Sequence, residues 1–268
     1  MLLAYLLAIA LILIIGFFSL KTLDFLYVMA FNRPLYVHFY FKTHKISKSE
    51  EDFLKKNFPF YNKLSKRQQR FFQHRLVDFI EDKDFEGRDE MEITQEVKLL
   101  IGATAVMLTF GMRNFYLGIL QKIIVYPHSF YSNTSGHEHK GEFNPLMKVL
   151  VLSWEDFQQG FADERDNLNL GIHEFTHVLQ MNSKKFRSVG ASIFLDANRQ
   201  LEDFLKEKEM RQKLLDSHYF RNYAYTNQFE FLAVLVEYFI ESPEEFREKF
   251  PKFYFKIREM LNFNFAGY

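Results

Sequence analysis

Five residues, His173-Glu174-Phe175-Thr176-His177, constrain this chain more tightly than any other stretch. On a helix, positions four apart share a face, so His173 and His177 aim two imidazoles at one point. Glu174, the next residue round, then leans over whatever those imidazoles hold. Two neutral nitrogen ligands, with a carboxylate to take a proton from an attacking water, are what a zinc hydrolase needs. The flanking residues agree with a helix. Ile172, Phe175 and Leu179 recur at helical spacing on a face apart from the histidines, and Asn167 or Asn169 supplies an N-cap. The competing reading is an ordinary amphipathic helix that happens to carry two histidines.

A catalytic zinc takes three protein ligands and leaves a fourth position for water. The chain has no cysteine, so the third ligand must be His, Asp or Glu. One zincin class places a third His six residues after the second, with a Gly between; Ser183 and Gln180 stand there and exclude it. The other large class draws a Glu from a later helix. Glu230 through Glu241 reads as such a helix, strongly apolar and closed by Ser242-Pro243. A carboxylate buried there is costly unless it is paired or bound to a metal. Glu230 and Glu237 are seven apart and share a face. Either can reach the metal while the other orients a histidine, and the alternative makes them solvated charges on the outer face.

With these residues in place, the chain resembles the Mlc titration factor A family of zinc peptidases, gluzincins whose catalytic core is similar to that of anthrax lethal factor. The likeness runs from about Phe53 to Asn262. It rests on Asp84-Phe85-Glu86-Gly87, Val125-Tyr126-Pro127, Val151-Leu152-Ser153-Trp154, His173 to His177, and Glu230-Phe231-Leu232-Ala233-Val234 continuing to Pro243. The resemblance implies Glu230 as third ligand and leaves Glu237 a helper. It also implies that Tyr223, seven residues before Glu230, donates a hydrogen bond to the forming oxyanion, with Tyr225 as fallback. One departure stands out: the family's acidic residue three positions after the second His is Gln180 here, which touches a second-sphere contact or the local helix charge rather than ligation.

Residues 1–20 carry no charge. Twenty helical residues span ~30 Å, the thickness of a bilayer's hydrocarbon core. The run therefore reads as an uncleaved single-pass anchor, against a buried globular helix or a cleaved signal peptide; no basic n-region or small-x-small cleavage site accompanies it. Lys21, Arg33, Lys42 and Lys45 follow the span, so the positive-inside tendency places the rest of the chain in the cytoplasm. Residues 21–51 form a membrane-proximal connector. Within it the aromatic-rich Phe25–Phe41, broken by Pro34, reads as interfacial or as core packing. Formal net charge is zero, so nothing points to nucleic acid.

Residues 52–268 are long enough for one domain with a full core. Ser65–Glu81 and Thr94–Phe110 read as helices capped by Ser65 and Thr94. Ile123–Tyr126 and Met147–Leu152 read as strands, separated by the polar loop Ser129–Pro145. Met147–Trp154 is the expected cleft strand for pairing with an extended substrate. His137-Glu138-His139 reads as solvated loop rather than a metal site, and Ser183–Phe220 as a charged helical cleft wall. The expected fold is α+β and mostly helical: a zincin-like (gluzincin) metallopeptidase domain with a small sheet, preceded by one transmembrane helix. The expected function is a membrane-anchored zinc metallopeptidase. His173, His177 and Glu230 hold one catalytic Zn²⁺, Glu174 is the base, and the partner is a peptide or protein substrate. The rival is a regulatory binding protein with mainly structural zinc, because a member of the resembling family binds a sugar-responsive transcriptional repressor.

Overall fold

The computed structural model describes residues 1–132, 136–162 and 166–268. Residues 133–135 of the Ser129–Pro145 loop lie outside the described residues, as do residues 163–165. Helix α1 covers Leu2–Phe31. Residues 21–31 contain no Gly or Pro, so the helix runs eleven residues past the uncharged stretch. It ends where Asn32 takes a left-handed φ of 48° and returns its N–H to the Val28 carbonyl. The boundary expected at residue 20 is thus one of charge, not of helix. None of the first 23 residues is buried, which removes the reading of a core helix. α1 is long and apolar enough to cross a bilayer. Asp24 is buried, its two carboxylate oxygens accepting from Arg113 at 2.7 and 2.8 Å, which ties the helix to the rest of the chain.

The aromatic stretch after α1 divides between the two expected roles. Tyr36, Phe39 and Phe41 are exposed, Phe41 almost fully at 97 %. His38 stacks on Phe71 at 4.8 Å, and Tyr40 accepts from the buried Arg75 at 2.7 Å. One face packs inward and the other presents rings outward.

Ser47, Ser65 and Thr94 cap the next long helices: α2 (Lys48–Asn57), α4 (Lys66–Asp82) beyond the short α3 (Pro59–Lys63), and α5 (Gln95–Thr109). The first two close full capping boxes with Glu50 and Gln68. Strand β1 (Asp84–Gly87) lies between α4 and α5, and β2 (Lys122–Tyr126) follows α5. The expected polar loop contains β3 (Phe130–Tyr131), β4 (Glu138–His139) and β5 (Gly141–Asn144), ahead of β6 (Val149–Ser153).

The four-stranded sheet has the order β1-β2-β6-β5. β1, β2 and β6 are parallel, and β5 runs antiparallel to β6, with Gly141 opposite Leu152 and Asn144 opposite Val149. This corrects the expectation for Met147–Trp154. β6 is an interior strand, paired on both sides, and cannot accept a further chain; the sheet edge next to it is β5, the other edge being β1. Gly-Glu-Phe-Asn has little intrinsic strand preference, and its neighbour β6 imposes the conformation through tertiary pairing.

Helix α6 (Trp154–Ala162) leads back to α7 (Leu170–Lys185), the helix that carries the two histidines. The Ser183–Phe220 stretch resolves into α8 (Val189–Lys206) and α9 (Lys208–Ser217). A 3-10 turn, Asn222–Tyr225, precedes α10 (Gln228–Glu241), and α11 (Pro243–Lys249) and α12 (Pro251–Leu261) finish the chain, each opened by proline at its first position. α7 sits amid α5, α8 and α10. Ile172, Phe175, Val178 and Leu179 point into this core, fully buried. Truncating Phe175 to alanine there costs about 3–5 kcal/mol. The fold is α+β, mostly helical, with a small sheet.

Candidate metal centre

Two caps fix the helices that bear the candidate ligands. Asn169 Oδ1 accepts from the Ile172 N–H at 3.0 Å and starts α7, so of the two asparagines Asn169 is the N-cap. Asn227 Oδ1 accepts from the Phe229 and Glu230 N–H groups at 2.8 and 3.1 Å and starts α10 with Glu230 in its first turn. Both caps satisfy donors the helices leave unpaired.

The packing of α7 on α10 then brings His173, His177 and Glu230 together, their ligand atoms all within 4.8 Å of one another. His173 Nε2 lies 2.9 Å from Glu230 Oε2 and 3.2 Å from His177 Nε2, and His177 Nε2 is 3.5 Å from Glu230 Oε1. Glu237, two turns along α10, is 1 % exposed. Its Oε1 accepts from His173 Nδ1 at 2.6 Å, which commits that nitrogen and turns Nε2 towards Glu230. Four further hydrogen bonds neutralise the buried carboxylate or hold its neighbours. Arg221 reaches its two oxygens at 2.9 and 2.6 Å, the Asn169 N–H reaches Oε2 at 3.1 Å, and Arg221 Nη1 also donates to the Asn167 carbonyl. Neither glutamate is a solvated surface charge.

Burial alone would lower the basicity of His173. Hydrogen bonds to Glu230 and Glu237 outweigh it and push its pKa up to about 10. Burial likewise works to raise Glu230, but the two histidines beside it hold the carboxylate well below its usual range. A proton between His173 Nε2 and Glu230 thus occupies the position that a cation would take. Two imidazole nitrogens facing each other, with a carboxylate and with the back of one ring already bonded, form a donor set that fits a divalent transition ion.

Glu174 is buried, and desolvation raises its pKa. It points to β5, where a Cβ built on Gly141 would sit 2.6 Å from Glu174 Cγ. Tyr223 is half exposed, its ring centroid 5.8 Å from His173. Burial and then the nearby Glu230 carboxylate raise its phenol, so it stays a donor at neutral pH. Tyr225 is turned elsewhere, its hydroxyl donating to the Leu214 carbonyl at 3.3 Å. Gln180 is buried and does not line the cleft; its Oε1 has no hydrogen-bond partner among the described residues. A cleft of about 410 Å³ opens over His173 and Glu174, lined also by Lys140, Gly141, Arg221 and Tyr223.

Sequence reasoning missed Arg221, Gly141 and the edge strand. The first two are single residues whose value comes from a partner more than ten positions away, and no local spacing signals them. Glu138 and His139 lie on β4 and line the cleft, but His137-Glu138-His139 joins no group of three converging metal donors among the described residues.

Residues 36–261 match the model of the family described as glucose-regulated metallo-peptidase M90. An uncharacterized protein of Synechocystis sp. is 26 % identical over 227 residues, covering 75 % of this chain and 78 % of its own. Mlc titration factor A of Yersinia enterocolitica is 27 % identical over 158 residues, covering 52 % of this chain and 57 % of its own. The chain belongs to the M90 family, the group of zinc-metallopeptidase-like proteins that takes in Mlc titration factor A.

Proposed function

We propose that this protein is a membrane-anchored zinc metallopeptidase with a zincin-like centre of the gluzincin type. The observation that carries the reading is the convergence of His173, His177 and Glu230, with Glu174 buried beside them at the wall of a cleft. Held by two imidazoles and a carboxylate, one zinc ion supplies Lewis-acid activation of a water and polarisation of a carbonyl. Glu237 fixes the ring of His173 through Nδ1, so that Nε2 is the ligating atom. Glu174 takes a proton from the attacking water and hands it to the leaving amine, and its raised basicity in the buried site suits that exchange. Tyr223 donates to the carbonyl oxygen as negative charge builds there.

The peptide lies along β5, the terminal strand on the side of the sheet next to Glu174, whose backbone offers pairing while side pockets set selectivity. α1 anchors the chain in a bilayer, and Lys21, Arg33, Lys42 and Lys45 after the apolar run favour a cytoplasmic position for the cleft. A regulatory role alongside or instead of hydrolysis is favoured by one observation, the similarity to a protein whose name describes titration of Mlc.

The test is cleavage of a peptide library by the full chain in detergent: untreated, stripped by a chelator, and stripped then resupplied with zinc. Activity should vanish on stripping, return with zinc, and be absent from the E230A variant, which should also bind one zinc ion fewer than the wild type. Cleavage that persists in the stripped chain overturns the proposal.

A further inference from the structure

Among the described residues, one other set of side chains brings three metal-competent atoms together: His44, His74 and Asp78. His74 and Asp78 are one turn apart on α4 and share a face. His44 comes from the connector ahead of α2. Its Nδ1 lies 2.7 Å from Asp78 Oδ1, and His74 Nδ1 lies 3.3 Å from the same oxygen. These separations are of the same size as the 2.9, 3.2 and 3.5 Å at the His173 centre. Ligand atoms at 2.0–2.1 Å from a tetrahedral ion stand ~3.3 Å apart.

Hydrogen bonding within the cluster is incomplete. The His44 N–H donates to His74 Nδ1 at 3.3 Å, so that nitrogen presents a lone pair. Asp78 Oδ1 presents another at 3.3 Å from it, and a nitrogen that accepts the His44 N–H carries no proton to share with that oxygen. A cation resolves this opposition and takes the nitrogen lone pair over from a long, weak hydrogen bond. The other Asp78 oxygen accepts from the Tyr116 hydroxyl at 3.2 Å, which orients the carboxylate from behind. The His44 side chain is 48 % exposed, which leaves a route for the ion and a position for water.

We propose that His44, His74 and Asp78 form a second metal site that takes a divalent transition ion, zinc first among them. Two imidazoles and one carboxylate are a poor match to magnesium or calcium, which want six or more oxygens. The ion pins the connector onto α4, a short way along the chain from α1. No residue is shared with the His173 centre, so the two sites stand or fall separately.

The test uses the full chain in detergent, stripped, equilibrated with excess zinc, freed of unbound ion and measured for zinc per chain. The wild type should hold about two ions, H44A and H177A about one each, and the double variant none. His44 is exposed, so alanine there leaves the core intact. Zinc should also raise the melting temperature of H177A but not of the double variant. The proposal is overturned if H44A holds as much zinc as the wild type, or if the double variant holds as much as H177A. If H44A loses an ion while H177A loses none, the second site stands and the reading of the His173 centre is what fails.

Discussion

A Cβ on Gly141 would lie 2.6 Å from both Cγ and Oε1 of Glu174, so it is the bare backbone of β5 that gives the buried carboxylate its room. The contact joins the edge of the sheet to the helix that bears the two histidines. It makes residue 141 part of the site although it has no reactive atom of its own. Replacing Gly141 by alanine forces Glu174 aside. A misplacement on the order of 1 Å costs about 100-fold in turnover, while the ligands are untouched. G141A should therefore keep its zinc and lose most of its peptide cleavage. Full activity in G141A would mean that Glu174 has other room, or another role.

The buried bridge from Arg221 to Glu237 to His173 predicts a different signature. Glu237→Gln leaves an acceptor for His173 Nδ1 but removes the charge that Arg221 neutralises. Zinc affinity, measured by competition with a chelator, should fall about 10–100-fold. An unchanged affinity would show that the ring of His173 is held by packing alone.

The raised pKa of His173 makes metal loading a proton exchange. Its folded value of about 10 exceeds the ordinary 6.5, so the ion pair with Glu230 stabilises the metal-free chain fully below pH 6.5 and is lost as the pH rises through about 10. Glu230 is ionised across that window and contributes no proton. Calorimetry in buffers of different ionisation heat should find about one proton released from His173 per zinc at pH 7.5, falling towards none above pH 10. No release at pH 7.5 would show His173 already neutral.

Much of this site is legible in the amino-acid sequence. His173, Glu174 and His177 are marked by helical spacing, which is local; spacing leaves Glu230 and Glu237 both open as the third ligand, and the family resemblance singles out Glu230. Asn169 is one of two asparagines that the sequence offers as cap of α7, and the Asn227 cap of α10 shows only in the structure. The Ser65 and Thr94 caps of α4 and α5 and the interior strands β2 and β6 are local signals too, whereas α2 starts inside the stretch that reads as connector. The features that the sequence hides depend on contacts between distant positions. β5 is a strand because β6 pairs with it, and Arg221 matters because Glu237 is buried beside it. α1 reads past its uncharged stretch because nothing before Asn32 stops a helix, whereas a membrane criterion counts only charge.

Glu241 gives a separate prediction, on stability. Burial pushes its carboxyl up to about 8, with Asn169 Nδ2 donating to it at 3.1 Å. The unfolded chain gives up this proton near pH 4.5 and the folded chain only near 8, so stability falls across that range and stays lower above it. Glu241→Gln mimics the neutral acid. It should raise the melting temperature at pH 8 by at least about 2–4 °C and leave it unchanged at pH 4. Equal shifts at both values would rule out titration of Glu241 as the cause.

The central claim is that Glu174 performs hydrolysis at a zinc centre it does not itself build. The most direct measurement pairs zinc content with peptide cleavage in the E174Q variant. The account predicts bound zinc equal to the wild type and cleavage lowered by at least about 100-fold. Zinc retained with cleavage undiminished would contradict it.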